Sequence, residues 1–441
     1  MEEKSHDSLK LLQKIEDRFM PKGEKMKTKL IQTLKLLQRI ILGILPSFVR
    51  SQLSSNTSKI QRIHSTSYFD GLRGVASFIV FLGHYTEENV GWYSEPYGLY
   101  EDGASSSLLQ LSIIRVIYSG RPMVHIFYII SGFVLSYKPL KQINSQHFSA
   151  LANTLSSSIF RRGIRLFLPS FATLLIMAFS VGLGLSDHRY VSVSGGIISQ
   201  LYNALYRCWE LLGASWAINS FNNFFPEYNP ALWSIPVEFS QSLILYGIIL
   251  GLSRCKFKLR FMMACLILLY CFKSGHIYTS EFLGGSLIAD LILIQDCSSI
   301  SSHSSLSTLP VFKFQTKDIS ISRCELKVKQ ILLQVFWTIN LLCGLYIASW
   351  TNKHSEDVWF FSFLIRNTPE PYDISNAQNV WLCFAAFQIV SSSTQLCWLK
   401  NIFLMSIPQY LGDISFSLYL THNLCLTILE PRFAPILDHL I

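Results

Sequence analysis

About nine blocks of mostly apolar residues, each close to the ~20 residues that cross a bilayer as a helix, run through this 441-residue chain. They lie near 71–92, 122–138, 164–185, 230–252, 259–274, 279–295, 330–350, 379–399 and 403–429. Inside lipid a lone segment must satisfy its own backbone hydrogen bonds, so such blocks fold as helices. Half of the residues are apolar and 15% are charged, against about 25% charged in an average soluble domain. That is too little charge to coat a water-soluble surface. The chain reads as all-α: a polytopic transmembrane helical bundle of about 9–11 spans. The range comes from the semi-apolar, aromatic stretch 195–225, which suits a re-entrant element or two short spans. Disordered, collagen-like and disulfide-scaffold classes are excluded.

Charge sets the expected orientation. Residues 1–64 hold 13 Lys/Arg against 6 Asp/Glu, so the tail carries most of the net +9. A basic tail before the first span fits a cytoplasmic N-terminus beside anionic lipid, and not a nucleic-acid partner. Within it, KLIQTLKLLQRIILGILPSFV (29–49) has apolar residues at helical spacing with Lys35 and Arg39 between them, which reads as an interfacial amphipathic helix. The domain division is therefore a tail of 1–64 and a membrane domain of 65–441, with a Ser-rich cytoplasmic loop at 296–328 inside it. Lys138, Lys141, Arg161, Arg162 and Arg165 follow the second span, RCKFKLR (254–260) the fourth and Lys400 the eighth. All fall on the N-terminal side of the membrane, which suits the endoplasmic reticulum. Glu87, Glu88, Glu95, Glu101 and Asp102 follow the first span and belong to the opposite face. The ten cysteines lack paired metal spacing and read as small buried apolar residues, so no metal is expected.

Four polar motifs interrupt the apolar blocks. In YFDGLRGVASFIVFLGHYTEE (68–88), His84 stands eleven residues beyond Arg73, about 16 Å along a helix. An imidazole that deep in an apolar helix either takes a proton from a hydroxyl or bonds a neighbouring helix. In FRRGIRLFLP (160–169), Arg162 and Arg165 share one helix face at a membrane edge. They either grip a phosphate ester or mark topology. In NPALWSIPVEFSQSLILYG (229–247), Glu238 lies in an apolar helix and needs a partner, either His84 or a motif arginine. In GDISFSLYLTHNLCL (412–426), His422 reads as structural or substrate-orienting. Asp290 is a further carboxylate within an apolar block. No P-loop, GxGxxG after a strand, GxSxG, HExxH or CxxC occurs, so nucleotide hydrolysis, dehydrogenase, esterase and zinc chemistry lack support.

These motifs, with VHIFYIISGFVLS (124–136) between the first and second, resemble in order and wording the membrane-bound acyltransferase 3 family, in particular its fungal members. The resemblance covers 68–422. It implies transfer of an acyl group, usually acetyl, from acyl-CoA on the cytoplasmic side to a hydroxyl or amine of a small acceptor such as a secondary metabolite, sterol or sugar. Acyl-CoA would be a co-substrate, with no resident cofactor. Carried onto this chain, it makes His84 and Glu238 catalytic. Arg73, Arg162, Arg165, Trp233 and His422 would contact substrate, all converging on one tunnel. Relatives usually continue further past the last histidine, which leaves a truncated, non-catalytic product as one alternative. The other, from a different class, is a transporter or flippase with a His84–Glu238–Asp290 proton relay.

Overall fold

The computed structural model describes residues 64–98, 106–186, 191, 195–216, 226–303 and 323–428. The chain divides into two compact units, Met1–His64 and Ser65–Ile441, and the helix bundle is the second. The amphipathic segment 29–49 lies outside the described residues. Within them there is helix and no strand. The helices are α1 (Tyr68–Asn89), α2 (Gly120–Asn144), α3 (Phe148–Gly182), α4 (Ile197–Ala214), α5 (Ser234–Gly251), α6 (Phe257–Lys273), α7 (Ile277–His303), α8 (Arg323–Ala348), α9 (Trp359–Arg366), α10 (Ala377–Gln395), α11 (Cys397–Phe403) and α12 (Ser406–Ile428).

Helices stand at all nine expected positions, and the all-α membrane bundle is what the structure shows. Among the described residues, five helices are long and apolar enough to cross a membrane, or six if α10 and α11 form one bent span. The five are α2, α3, α5 with the turn before it, α7 and α8. The physical reason is visible in the others. α1 carries Asp70, Arg73, Glu87 and Glu88 at its two ends, α6 has only 17 residues, and α12 spends its length on Ser, Thr, Gln and Asn. The aromatic stretch at 195–225 contributes the single helix α4. It buries Gln200 and Asn203 and turns Ile198, Tyr202, Leu205 and Trp209 outward. That is the inside-out pattern of a helix with a polar bundle on one side and lipid on the other. Residues 217–225 lie outside the described residues. Two boundaries also shift. At Leu396 the backbone is extended and the axis turns by 97°, so 379–399 is a bent pair of helices and not one straight helix. The stretch 403–429 begins only at Ser406. The Ser-rich segment 296–303 continues α7 as helix, and 304–322 lie outside the described residues.

The expected basic face is a real end of the bundle. Arg260 on α6 reaches Asn144 at the end of α2, Arg254 stacks 3.9 Å above the Phe148 ring at the start of α3, and Lys400 lies 5.2 Å from the Tyr68 ring at the start of α1. At the far end, buried Arg115 donates to the carbonyls of Tyr93 and Glu95, and Lys353 and His354 face the Glu95 carboxylate at 3.6 Å.

Between the ends, glycines let helices touch backbone to backbone, the packing device available where lipid removes the hydrophobic drive between helices. Gly132 on α2 meets the backbone of Phe282 on α7, and Gly285 meets that of Ile129 and Phe133. Gly74 and Gly412 let α1 and α12 cross in the same way. Buried Phe69, Ile129, Phe133, Phe282 and Ala289 fill the layer between. A side chain at Gly132 would drive α2 from α7. Gly132→Val should cost about 1–3 kcal/mol through overpacking, seen as a lower melting temperature in detergent, whereas Gly247→Ala, where a methyl meets open space, should leave it unchanged.

Candidate active site

One polar feature within the bundle begins with α5. Pro230 opens a 3-10 turn that runs to Trp233, and α5 starts at Ser234. One turn later Glu238 leaves α5 toward α2 and α3. Its Oε1 accepts from Arg162 Nη2 at 2.7 Å and from Ser131 Oγ at 3.0 Å. Of the two partners open to it from sequence, the structure gives Glu238 the arginine. This pair sits in a cavity of about 190 Å³. Arg73, Arg162, Arg165 and Glu238 supply its charge, Ser131, Ser234 and Ser415 its hydroxyls, and Phe127, Tyr128, Leu166 and Phe416 part of its apolar wall. Arg73 is held from α12, with Nε donating to Ser415 Oγ at 3.0 Å, and from its own helix by Asp70 Oδ1, 3.4 Å from Nη2. Arg162 keeps its buried Nε without a partner among the described residues. Three guanidiniums against Glu238 and the Asp70 carboxylate beside Arg73 leave the site with a net positive charge. Such a site accepts a polyanion by bidentate hydrogen bonding.

The two histidines lie elsewhere, though together. His84, near the far end of α1, stacks on His422 of α12 with ring centroids 5.0 Å apart and planes 17° from parallel. Its side chain is 42% exposed, and Glu87 Oε2 stands 3.8 Å from its Nδ1. His422 is buried. Its Nδ1 lies 2.6 Å from the backbone carbonyl of Tyr419, and its Nε2 has no partner among the described residues. A carbonyl can only accept, so Nδ1 carries the proton and a neutral His422 presents a lone pair at Nε2. Neither imidazole lines the arginine cavity. The expected convergence of imidazole, carboxylate and guanidinium on one tunnel is thus met by the last two groups alone. The connecting residue is Tyr419, whose side chain lines the cavity, with its ring 5.8 Å from that of His422 and its hydroxyl on Ser234 Oγ and the Ala231 carbonyl. Trp233 does not line the cavity either. Its ring is 6.2 Å from Tyr278, while its neighbour Ser234 faces the cavity. Asp290 is bound by Arg260 through both carboxylate oxygens, at 2.7 and 3.1 Å.

One buried pair was missed from sequence. His125 on α2 and Glu281 on α7 meet at 2.5 Å, side chains 5% and 0% exposed, with the Cys383 thiol beside the carboxylate. The signal was available, since His125 is an imidazole in an apolar helix just as His84 is. Removing one partner of such a pair leaves a polar group stranded in the core. His125→Ala should therefore cost about 3–5 kcal/mol, measured as a fall in detergent melting temperature. The double variant His125→Phe with Glu281→Leu should recover much of that loss.

Comparison with known proteins places these observations in a lineage. Residues 66–293 match the family model described as an acyltransferase domain, Acyl_transf_3. The chain is 32% identical over 409 residues to the O-acetyltransferase PaAT-1 of Phomopsis amygdali, covering 87% of this chain and 76% of that one. It is 25% identical to the acyltransferase clz18 of Cochliobolus lunatus, over 82% of this chain and 83% of the relative. An acyltransferase R4 of a Phoma species is similarly 25% identical, over the same shares of the two chains. No solved structure matches.

Proposed function

Because the chain belongs to the acyltransferase 3 family, we propose that this membrane-bound O-acyltransferase moves an acyl group, acetyl foremost, from acyl-CoA to a hydroxyl of a small-molecule acceptor. A secondary metabolite, sterol or sugar would serve as acceptor, and an amine in place of the hydroxyl would react in the same way. The printed name of the Phomopsis amygdali relative, an O-acetyltransferase, supports acetyl and oxygen. The observation that carries the donor assignment is the gathering of Arg73, Arg162 and Arg165 around one apolar-walled cavity. CoA offers such a site several phosphate oxygens and a long, weakly polar pantetheine arm. The Lys/Arg bias puts the N-terminus on the cytoplasmic side, where acyl-CoA is made, and an endoplasmic reticulum location suits that orientation.

In this mechanism His84 takes the proton from the acceptor hydroxyl as its oxygen attacks the thioester carbonyl carbon. The C–O bond forms and the C–S bond breaks. CoA leaves as thiolate and receives the proton. His422 keeps the ring of His84 in register by stacking, and Glu238 holds Arg162 in place for the donor. A proton relay for transport would need free carboxylates, yet Glu238 and Asp290 are each bound to an arginine. This favours acyl transfer over a transporter or flippase.

Membranes carrying the protein, given labelled acetyl-CoA and a panel of alcohols, should transfer label. His84→Ala should reduce the rate about 10²–10⁴-fold, the usual cost of a general base, while leaving the protein folded. Near-normal turnover would sink the assignment. Arg165 makes no ion pair among the described residues, so Arg165→Ala tests donor binding without stranding a carboxylate. It should raise the donor KM several-fold at little change in kcat, and an unchanged KM would return Arg165 to a topological role.

A further inference from the structure

Tyr128 is among the largest side chains in the molecule that are essentially fully buried, at 2% exposure. It lines the arginine cavity, and its hydroxyl has no hydrogen-bond partner among the described residues. The ring is held from behind by Tyr278, 5.2 Å away and edge-on, and by Phe282 at 5.8 Å. The charged and phenolic groups that act on the hydroxyl are Tyr278, Tyr419, Glu238 and Glu281, and none of them bonds it. A buried donor left unmade costs about 1–3 kcal/mol, and buried polar groups are satisfied in the great majority of cases. Orphan status at a cavity wall therefore points to a ligand atom as the missing partner. A phenolic hydroxyl can donate or accept, and a carbonyl oxygen of a bound ligand would accept its hydrogen bond. Tyr128 lies three residues from Ser131, the contact of Glu238, on the side toward the histidines, about 4.5 Å farther along α2.

We propose that the Tyr128 hydroxyl donates a hydrogen bond to the carbonyl oxygen of the acyl thioester and stabilises the negative charge that develops there. The inference rests on the acyl-CoA reading above. As the acceptor oxygen attacks, the carbonyl π electrons move onto oxygen, and Tyr128 keeps its proton throughout, strengthening its hydrogen bond as the charge grows. Collapse of the intermediate restores the C=O bond and expels CoA thiolate. Against the apolar wall of the cavity such a fixed dipole is worth more than in solution. The arginines then serve the phosphates, Tyr128 the reacting carbonyl and His84 the hydroxyl. Nothing in VHIFYIISGFVLS distinguishes this tyrosine from its apolar neighbours, so only its missing partner reveals it.

Tyr128→Phe removes one oxygen and keeps the packing. With wild-type transfer as reference, kcat should fall about 10²-fold, the usual loss for one such donor, at a donor KM within about two-fold. The variant's melting temperature should be equal or higher, because an unsatisfied hydroxyl has been removed from the core. Tyr278→Phe, which alters the ring behind it, should leave kcat unchanged. A second arm needs no turnover. The purified wild type should bind acetonyl-CoA, a ketone in place of the thioester, more tightly than S-ethyl-CoA, which has no carbonyl, and Tyr128→Phe should abolish that preference. A kcat within two-fold of wild type, or a carbonyl preference that survives in the variant, overturns the proposal. So does a variant that melts lower yet turns over normally, the sign of a hydroxyl satisfied by structural water. If the wild type transfers nothing, the acyltransferase reading of this chain fails, and the binding arm alone decides on Tyr128.

Discussion

A carboxylate in the low-dielectric part of a membrane protein must find a cation or a donor, and that requirement organises this bundle. Among the described residues, three acidic groups on its long helices are each matched from a different helix: Glu238 by Arg162, Asp290 by Arg260, and Glu281 by His125. The pairs join α5 to α3, α7 to α6 and α7 to α2, so they fix which helices neighbour one another and in which register. Their individual contribution to stability is modest, because desolvation offsets much of the attraction. Their contribution to specificity is larger, since any slip of one helix past another would strand a charge.

The glycine crossings make that pairing possible. At Gly132–Phe282 and Gly74–Gly412 the helices approach until backbone meets backbone. Without such approaches Glu281 would not lie within 2.5 Å of His125, nor Arg73 within reach of Ser415. Close packing and buried charge therefore depend on one another. A substitution that opens α2 from α7 disturbs the wall of the arginine cavity as well, since Tyr128 and Ser131 stand on the same stretch of α2 as Gly132.

Most of this was written in the sequence as local pattern. The apolar blocks announced the helices, the charge bias announced the basic end, and the R-x-x-R step and LWSIPVE segment announced two of the elements that meet at the cavity. What the pattern does not contain is contact. Glu238 had two chemically reasonable partners, and nothing within LWSIPVE chooses between an imidazole and a guanidinium. The bend at Leu396 is equally invisible, because an apolar run reads the same whether it continues or folds back. His125 was legible by the rule that singled out His84, but it lay inside a hydrophobic motif and was absorbed by it. Tyr128 was not legible at all, since a tyrosine in an apolar helix is ordinary until its hydroxyl is found without a partner.

The separation of the histidines from the arginines bears on how the chemistry is divided. His84 is 42% exposed near the end of α1, whereas the guanidiniums face a cavity that neither histidine lines. On the proposed reading, an acceptor reaching His84 and a donor reaching Arg165 would come from different directions and meet where Tyr419 stands, between the cavity and His422. Its ring contacts Phe127 at the cavity wall and approaches His422 on the other side, and its hydroxyl is pinned to the turn that starts α5. If the proposed donor and acceptor bind in this way, such a partition would hold a thioester in the bundle away from bulk water, because hydrolysis needs the same path to the carbonyl that the acceptor takes. The aromatic ring between the two sites would then contribute to selectivity for an organic hydroxyl over water by its size as well as by its hydrogen bonds.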